Sequence, residues 1–179
     1  INPPHVQNLH RLKGALIARL QRAGLPVPPY GLFTSDGPAQ AFVRRPDIGP
    51  PGAVTKPLAG IWKTRAAPPA DVSDHGWGQR PLLLQQRIRG ETIRCYVLGG
   101  SLLAAARVVH GETVDSSESQ TGIEVIPLPD DARALAEGVA RTLELPFCGL
   151  DLMRERGTGQ WFVIDCNLSP MFVAYGRLS

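Results

Sequence analysis

Apolar residues recur along the chain at two spacings, three to four residues and two, and these sort it into helices and strands. Val6, Leu9, Leu12, Leu16, Ile17 and Leu20 keep the helical spacing, and Gly24 followed by Pro26 supplies a stop, so an amphipathic helix is predicted over 5–23. Lys13 falls close to that apolar stripe, where a lysine ordinarily lies along the border with its ammonium in water. A proline-rich entry leads to a short strand over 30–34, a short helix over 38–44, a Pro/Gly loop over 47–52 and a strand over 53–58 that carries Lys56. Residues 59–80 hold Gly60, Pro68, Pro69, Gly76 and Gly78 with little apolar periodicity, the composition of a mobile loop. From Pro81 the chain turns strand-rich, with β-prone runs at 82–88, 93–98 and 101–109, the last two joined by Gly99 and Gly100 as a tight hairpin. A polar loop over 110–122, a strand over 123–126 and a helix from Asp130 to about residue 145 follow, with acids in the first helical turn where the dipole favours them. The chain then reads as a hairpin, 147–153 with 161–167, turning through Gly157, Thr158 and Gly159.

Composition narrows the function classes. The 179 residues are 43% hydrophobic and 20% charged, enough to bury a sizeable core, and no stretch has the length of a membrane span or the pattern of a signal peptide. A net charge of +3 with a pI near 9.0 suits a small anionic ligand, and no basic block interleaved with aromatics supports nucleic-acid binding. Cys95, Cys148 and Cys166 are odd in number, far apart and set among apolar residues, which predicts buried free thiols in a reducing, cytoplasmic setting. The chain opens at Ile1 without a methionine and closes at Ser179 in mid-motif, which is expected of a piece of a longer chain.

The candidate chemistry gathers on the last hairpin. Asp165 and Asn167 end an apolar strand and share one face of it, with Cys166 turned to the other. A lone acid at a strand end is ordinarily a turn former, but the hairpin brings Asp151 beside this pair, and two carboxylates with an amide oxygen are hard ligands that suit Mg²⁺. Lys56 ends a strand just before the 59–80 loop, where an ammonium can meet a phosphate. Residues 85–88 close another strand with backbone groups placed to read an adenine edge. Arg94 faces away from Ile93 and Cys95, and Arg107 on the hairpin partner is expected to share its face, giving an anion site beside the acids. The 60–64 run is not a phosphate-binding P-loop, because Trp62 stands where a glycine must precede the lysine.

In order along the chain, Lys56-Pro57-Leu58, LLLQQRIRGETIRCYVLGGSLLAAAR, GLDLM and VIDCNLSPMF resemble the ATP-grasp superfamily in its RimK-like carboxylate-amine ligase branch, and the opening 28 residues are similar to the start of that family's nucleotide-binding region. The resemblance implies an α+β ATP-grasp fold, two α+β subdomains with antiparallel sheets clasping a nucleotide, one over 1–80 and the other, with the metal site, over 81–179. It also implies a substrate-side domain preceding this stretch. By position, Lys13 and Lys56 would contact ATP phosphates, Gln86, Arg87 and Ile88 would form the adenine hinge, and Arg94 and Arg107 would hold the transferring phosphate. Asp151, Asp165 and Asn167 would bind Mg²⁺ or Mn²⁺. The implied partners are a small-molecule or peptide carboxylate and an amine, joined through an acyl phosphate, with no nucleic acid or membrane and with a homo-oligomer admitted.

The chain departs from the family pattern at several of these positions. Asp165 stands where a Glu is usual, Gln86 replaces the hinge Glu, and Thr92 replaces the acid before the Ile-Arg pair, with Glu91 adjacent. AGIWKTRAAPPA replaces the glycine-rich lid, leaving Lys63 or Arg65 as candidates for phosphate contact. These departures support two alternatives to the ligase: a module that binds nucleotide or peptide without turnover, and a small-molecule kinase on the same fold.

Overall fold

The structure, a computed structural model, describes residues 2, 12–48, 52–56, 58, 65–67, 72, 81–110, 120–168 and 170. Its strands form two antiparallel sheets. The first is ordered β1-β4-β2-β3, from β1 (Tyr30–Phe33), β2 (Ala53–Lys56), β3 (Arg65–Ala67) and β4 (Leu82–Gln86). The second is ordered β7-β6-β5-β8-β9, from β5 (Gly90–Leu98), β6 (Ser101–His110), β7 (Gln120–Val125), β8 (Phe147–Glu155) and β9 (Trp161–Asn167). The strand β3 falls inside the stretch expected to be loop. Among the described residues no helix is long and apolar enough to cross a membrane.

Each sheet buries one face. In the first, Leu82 and Leu84 of β4 and Ala53 of β2 pack with Ala39 and Phe42 of α2 (Asp36–Val43) and with Ile48. Helix α2 starts two residues before its expected bound, after Ser35 in an extended conformation. In the second sheet, Ile93, Cys95 and Val97, Leu150 and Leu152, and Val163 and Cys166 face α3 (Asp130–Thr142), which contributes Ala132, Leu135, Ala136, Val139 and Ala140. Burying a large aliphatic side chain in such a layer stabilises by roughly 1.5–3 kcal/mol.

The first described helix, α1 (Lys13–Arg22), joins this second core through Leu16 and Leu20. The expected division at 80/81 therefore does not follow the packing: β4 belongs to the first sheet, and α1 packs with the second. Helix α1 and the segment after it cover the β9 edge, where Pro26 O accepts the Val163 N–H at 2.9 Å and so occupies part of an otherwise open ladder. Asn2 ties the ends of β8 and β9 together, donating to Phe147 O and Leu168 O at 2.7 Å each.

Two irregularities decide which side chains meet. Gly99 and Gly100 both adopt positive φ, as a two-residue hairpin turn requires, and set Leu98 opposite Ser101. The register then shifts: Val97 pairs with Leu102 but Tyr96 with Ala104, so Leu103 is an extra residue in β6. In the same way Asp151 pairs with Asp165 but Leu152 with Val163, so Ile164 is an extra residue in β9. Each bulge reverses the in-out alternation of the strand beyond it.

Candidate functional site

On the face of the second sheet turned away from α3, Arg94, Asp151 and Asp165 form a row across β5, β8 and β9, each directly opposite the next. The next row along is Tyr96, Gly149 and Asn167. The bulge at Ile164 makes this possible. Trp161 and Val163 lie in the core, and without the extra residue Asp165 and Asn167 would follow them inward. With it, Cys166 and Leu168 take the core positions while the two oxygen-bearing residues turn out.

Arg94 grips Asp151 through two parallel bonds, Nε to Oδ1 at 2.8 Å and Nη2 to Oδ2 at 2.9 Å. This charge-assisted fork raises the guanidinium pKa, overcoming burial, which acts the other way. Lys13, one turn before Leu16 and Ile17 on the same face of α1, carries its ammonium to Asp165, at 3.2 Å from Oδ1 and 2.9 Å from Oδ2. Lys56 arrives from the first sheet. Its side chain is only 5% exposed, and its ammonium donates to the carbonyl of Ile164, the bulged residue. Lys56, Lys13 and Asp165 thus line one small pocket together with Leu16, Ile17, Leu20, Val163 and Ile164.

Burial pushes the Lys56 ammonium below the usual lysine pKa; Asp165 opposes that shift, Lys13 adds to it, and Asp151 opposes it. Burial pushes the Asp165 carboxyl up, but Lys56 and Lys13, with hydrogen bonds from Lys13 and the Cys166 N–H, outweigh it and hold the group below the usual carboxylate range. Three cations therefore face two carboxylates at the junction of the sheets. An anion placed there would favour the charged form of Lys56.

Arg107 is not part of this row. Ile93, not Thr92, lies opposite it, so it shares the α3 side of the sheet, and the positions of β6 beside Arg94 and Thr92 are Ala106 and Val108. A regular two-residue hairpin would have put Arg107 opposite Thr92 on the Arg94 face; the extra residue Leu103 reverses that. On its own face Arg107 bonds Glu91 and, at 2.9 Å, Glu124, at the edge of a cavity of about 310 Å³ that also meets Arg154 and Trp161.

The hinge divides similarly. Gln86 shares the α2 side with Ala53 and donates its side chain to Asp47 O at 2.7 Å, while its backbone N–H goes to Pro29 O and that of Arg87 to Gly52 O, at 2.7 and 2.9 Å. Two of the amides expected to meet a base are thus already bonded within the fold, and Ile88 is buried. Gln85 instead shares the Lys56 face, being opposite Val54. It is 1% exposed, and its Nε2 has no hydrogen-bond partner among the described residues. A glutamine closing an apolar strand was a visible signal, but its side followed only from the pairing. Lys63 lies outside the described residues. Cys95, Cys148 and Cys166 are free and buried, as expected; burial pushes the Cys95 thiol up to about 12.

Two antiparallel sheets meeting at lysines from one side and paired carboxylates on the other define an ATP-grasp domain, and solved structures share this fold. The ATP-grasp ligase PsnB, in complex with precursor peptide PsnA2 and AMPPNP, superposes with a TM-score of 0.80 at 24% identity, over 97% of this chain and 54% of PsnB. D-alanine–D-alanine ligase from Bacillus anthracis superposes with a TM-score of 0.72 at 19% identity, over 92% of this chain and 59% of the ligase. A family model of the ATP-grasp domain, the third family of its clade, matches residues 50–169, and the chain belongs to that ATP-grasp family. Relatives by sequence include a probable alpha-L-glutamate ligase of Vibrio atlanticus (strain LGP32), 25% identical over 163 residues, which are 84% of this chain and 53% of the relative. Another of the same name, from Teredinibacter turnerae (strain ATCC 39867 / T7901), is 33% identical over 94 residues, 50% of this chain and 31% of the relative. The chain spans about half the length, or less, of the curated relatives it matches.

Proposed function

We propose that this chain is the nucleotide- and metal-binding part of an ATP- and Mg²⁺-dependent ligase that joins a carboxylate to an amine. The observation that carries the reading is the row Arg94, Asp151, Asp165, met by Lys56 from the other sheet and Lys13 from α1. Asp151 and Asp165 are directly opposed carboxylates with Asn167 further along the same face, an all-oxygen donor set that fits Mg²⁺ or Mn²⁺. Bound there, the metal would supply charge neutralisation on the phosphates. Lys13 and Lys56 bind the phosphate chain, and Arg94 orients the phosphoryl group as it passes to the substrate carboxylate. The resulting acyl phosphate makes the carbonyl carbon electrophilic; the amine attacks it, and inorganic phosphate leaves. Such transfer depends mainly on positioning and electrostatic stabilisation, which this set of cations provides. Similarity to relatives named probable alpha-L-glutamate ligases and to peptide-bound PsnB supports an amino acid or peptide as the substrate.

Calorimetric titration with ATP and Mg²⁺ tests the reading. The wild type is expected to bind, and Asp165→Ala to bind at least about tenfold more weakly. No nucleotide binding by the wild type, or equal binding by the variant, defeats the assignment. Where binding holds, phosphate release that needs both a carboxylate and an amine identifies a ligase, whereas a phosphorylated product accumulating in the presence of amine identifies a kinase. The placement of Arg107 on the far face favours a second reading, binding without turnover, and nucleotide binding without phosphate release would establish it.

A further inference from the structure

The charged residues assigned to hold metal or phosphate are already engaged within the fold. Lys13 occupies both oxygens of Asp165, Arg94 occupies both oxygens of Asp151, and Lys56 is bonded to Ile164. A free divalent cation would have to displace an ammonium from one carboxylate and a guanidinium from the other. It would enter a site where three cations already face two carboxylates, leaving Lys13, only 15% exposed, without a counter-ion. A nucleotide without metal meets the converse obstacle, since its phosphates must draw Lys13 and Arg94 away from Asp165 and Asp151 and leave those carboxylates bare. The metal–nucleotide complex resolves both, because the metal takes the carboxylates while the phosphates take the cations.

We infer that Lys13 and Arg94 make this site selective for the metal–nucleotide complex, by closing both carboxylates to free divalent cation until phosphate draws the two basic groups away. This rests on the nucleotide-site reading above. The selectivity is a coupling between two ligands and is reciprocal: nucleotide raises the affinity for metal by the same factor as metal raises the affinity for nucleotide.

The probes are Mn²⁺ alone, followed by electron paramagnetic resonance, and ADP with and without Mn²⁺, followed by calorimetry. Wild type is expected to bind Mn²⁺ alone weakly, and Lys13→Gln and Arg94→Gln to bind it about tenfold more tightly or better. The mutual enhancement of Mn²⁺ and ADP should shrink by a similar factor in both variants. Asp165→Asn, which frees Lys13, should bind metal-free ADP more tightly than wild type, although it binds the Mn²⁺ complex less well. These are gains of binding, which a protein that fails to fold cannot show. Mn²⁺ affinity left unchanged by both substitutions while ADP still binds would overturn this inference alone. No ADP binding to wild type under any condition would overturn the nucleotide reading and this inference with it.

Discussion

At the scale of single residues, Arg94 and Arg107 have the same side chain and nearly the same distance from the hairpin turn, yet different surroundings. Arg94 is half-buried in a two-bond grip on Asp151, and Arg107 spans Glu91 and Glu124 on the opposite face. Arg94→Gln is therefore expected to weaken binding of the ADP–Mg²⁺ complex by about tenfold or more, whereas Arg107→Gln leaves it within about threefold, as calorimetry would read. Because exposed ion pairs contribute little, Arg107→Gln should also cost less than about 1 kcal/mol of stability. Cys95 gives a pH dependence of known sign. Burial raises its thiol from 9.0 to about 12, so above pH 9 the unfolded chain ionises while the folded one does not. Stability is then fully present below pH 9 and is lost as pH rises toward 12. At pH 10.5 the loss is about 2 kcal/mol from this thiol, and Cys95→Ala should flatten that part of the curve in denaturant titrations.

At the scale of elements, the helices and strands were legible in the spacing of apolar residues, because a two-residue or three-to-four-residue period needs no knowledge of partners. The row Asp151, Asp165, Asn167 was legible too, since it sits on one hairpin. The side taken by Arg107 was not. It depends on the parity of β6, and Leu103 reverses that parity without any glycine or proline to mark it. The bulge at Ile164 is equally unmarked. There Lys56, from a different sheet, takes the carbonyl of the displaced residue, a partner no local pattern reveals. Gly149 depends on a contact of the same hidden kind, for a Cβ there would lie 2.7 Å from that of Pro170. Gly149→Val should lower stability by about 1–3 kcal/mol, measurable as a fall in Tm, and should disturb Asn167 opposite.

At the scale of the whole molecule, the two sheets meet through charged residues at the site, so ligand should stabilise both together. ADP with Mg²⁺ at a hundred times its Kd is expected to stabilise the fold by about 2.7 kcal/mol. Hydrogen exchange should slow in β2 and β4 as well as in β8 and β9; protection confined to one sheet would show that the ligand does not bridge them.

The membership of α1 in the second core also bears on how the chain is made. Leu16 and Leu20 are buried with Val163 and Cys166, about 150 residues later in the chain. A ribosome adding roughly 5–20 residues per second needs roughly 8–30 s to deliver those partners. For that interval the apolar stripe of α1 lacks its final cover, so the nascent chain offers a chaperone a binding segment in this helix. Release before β9 emerges would yield a product whose α1 has lost part of its landing place.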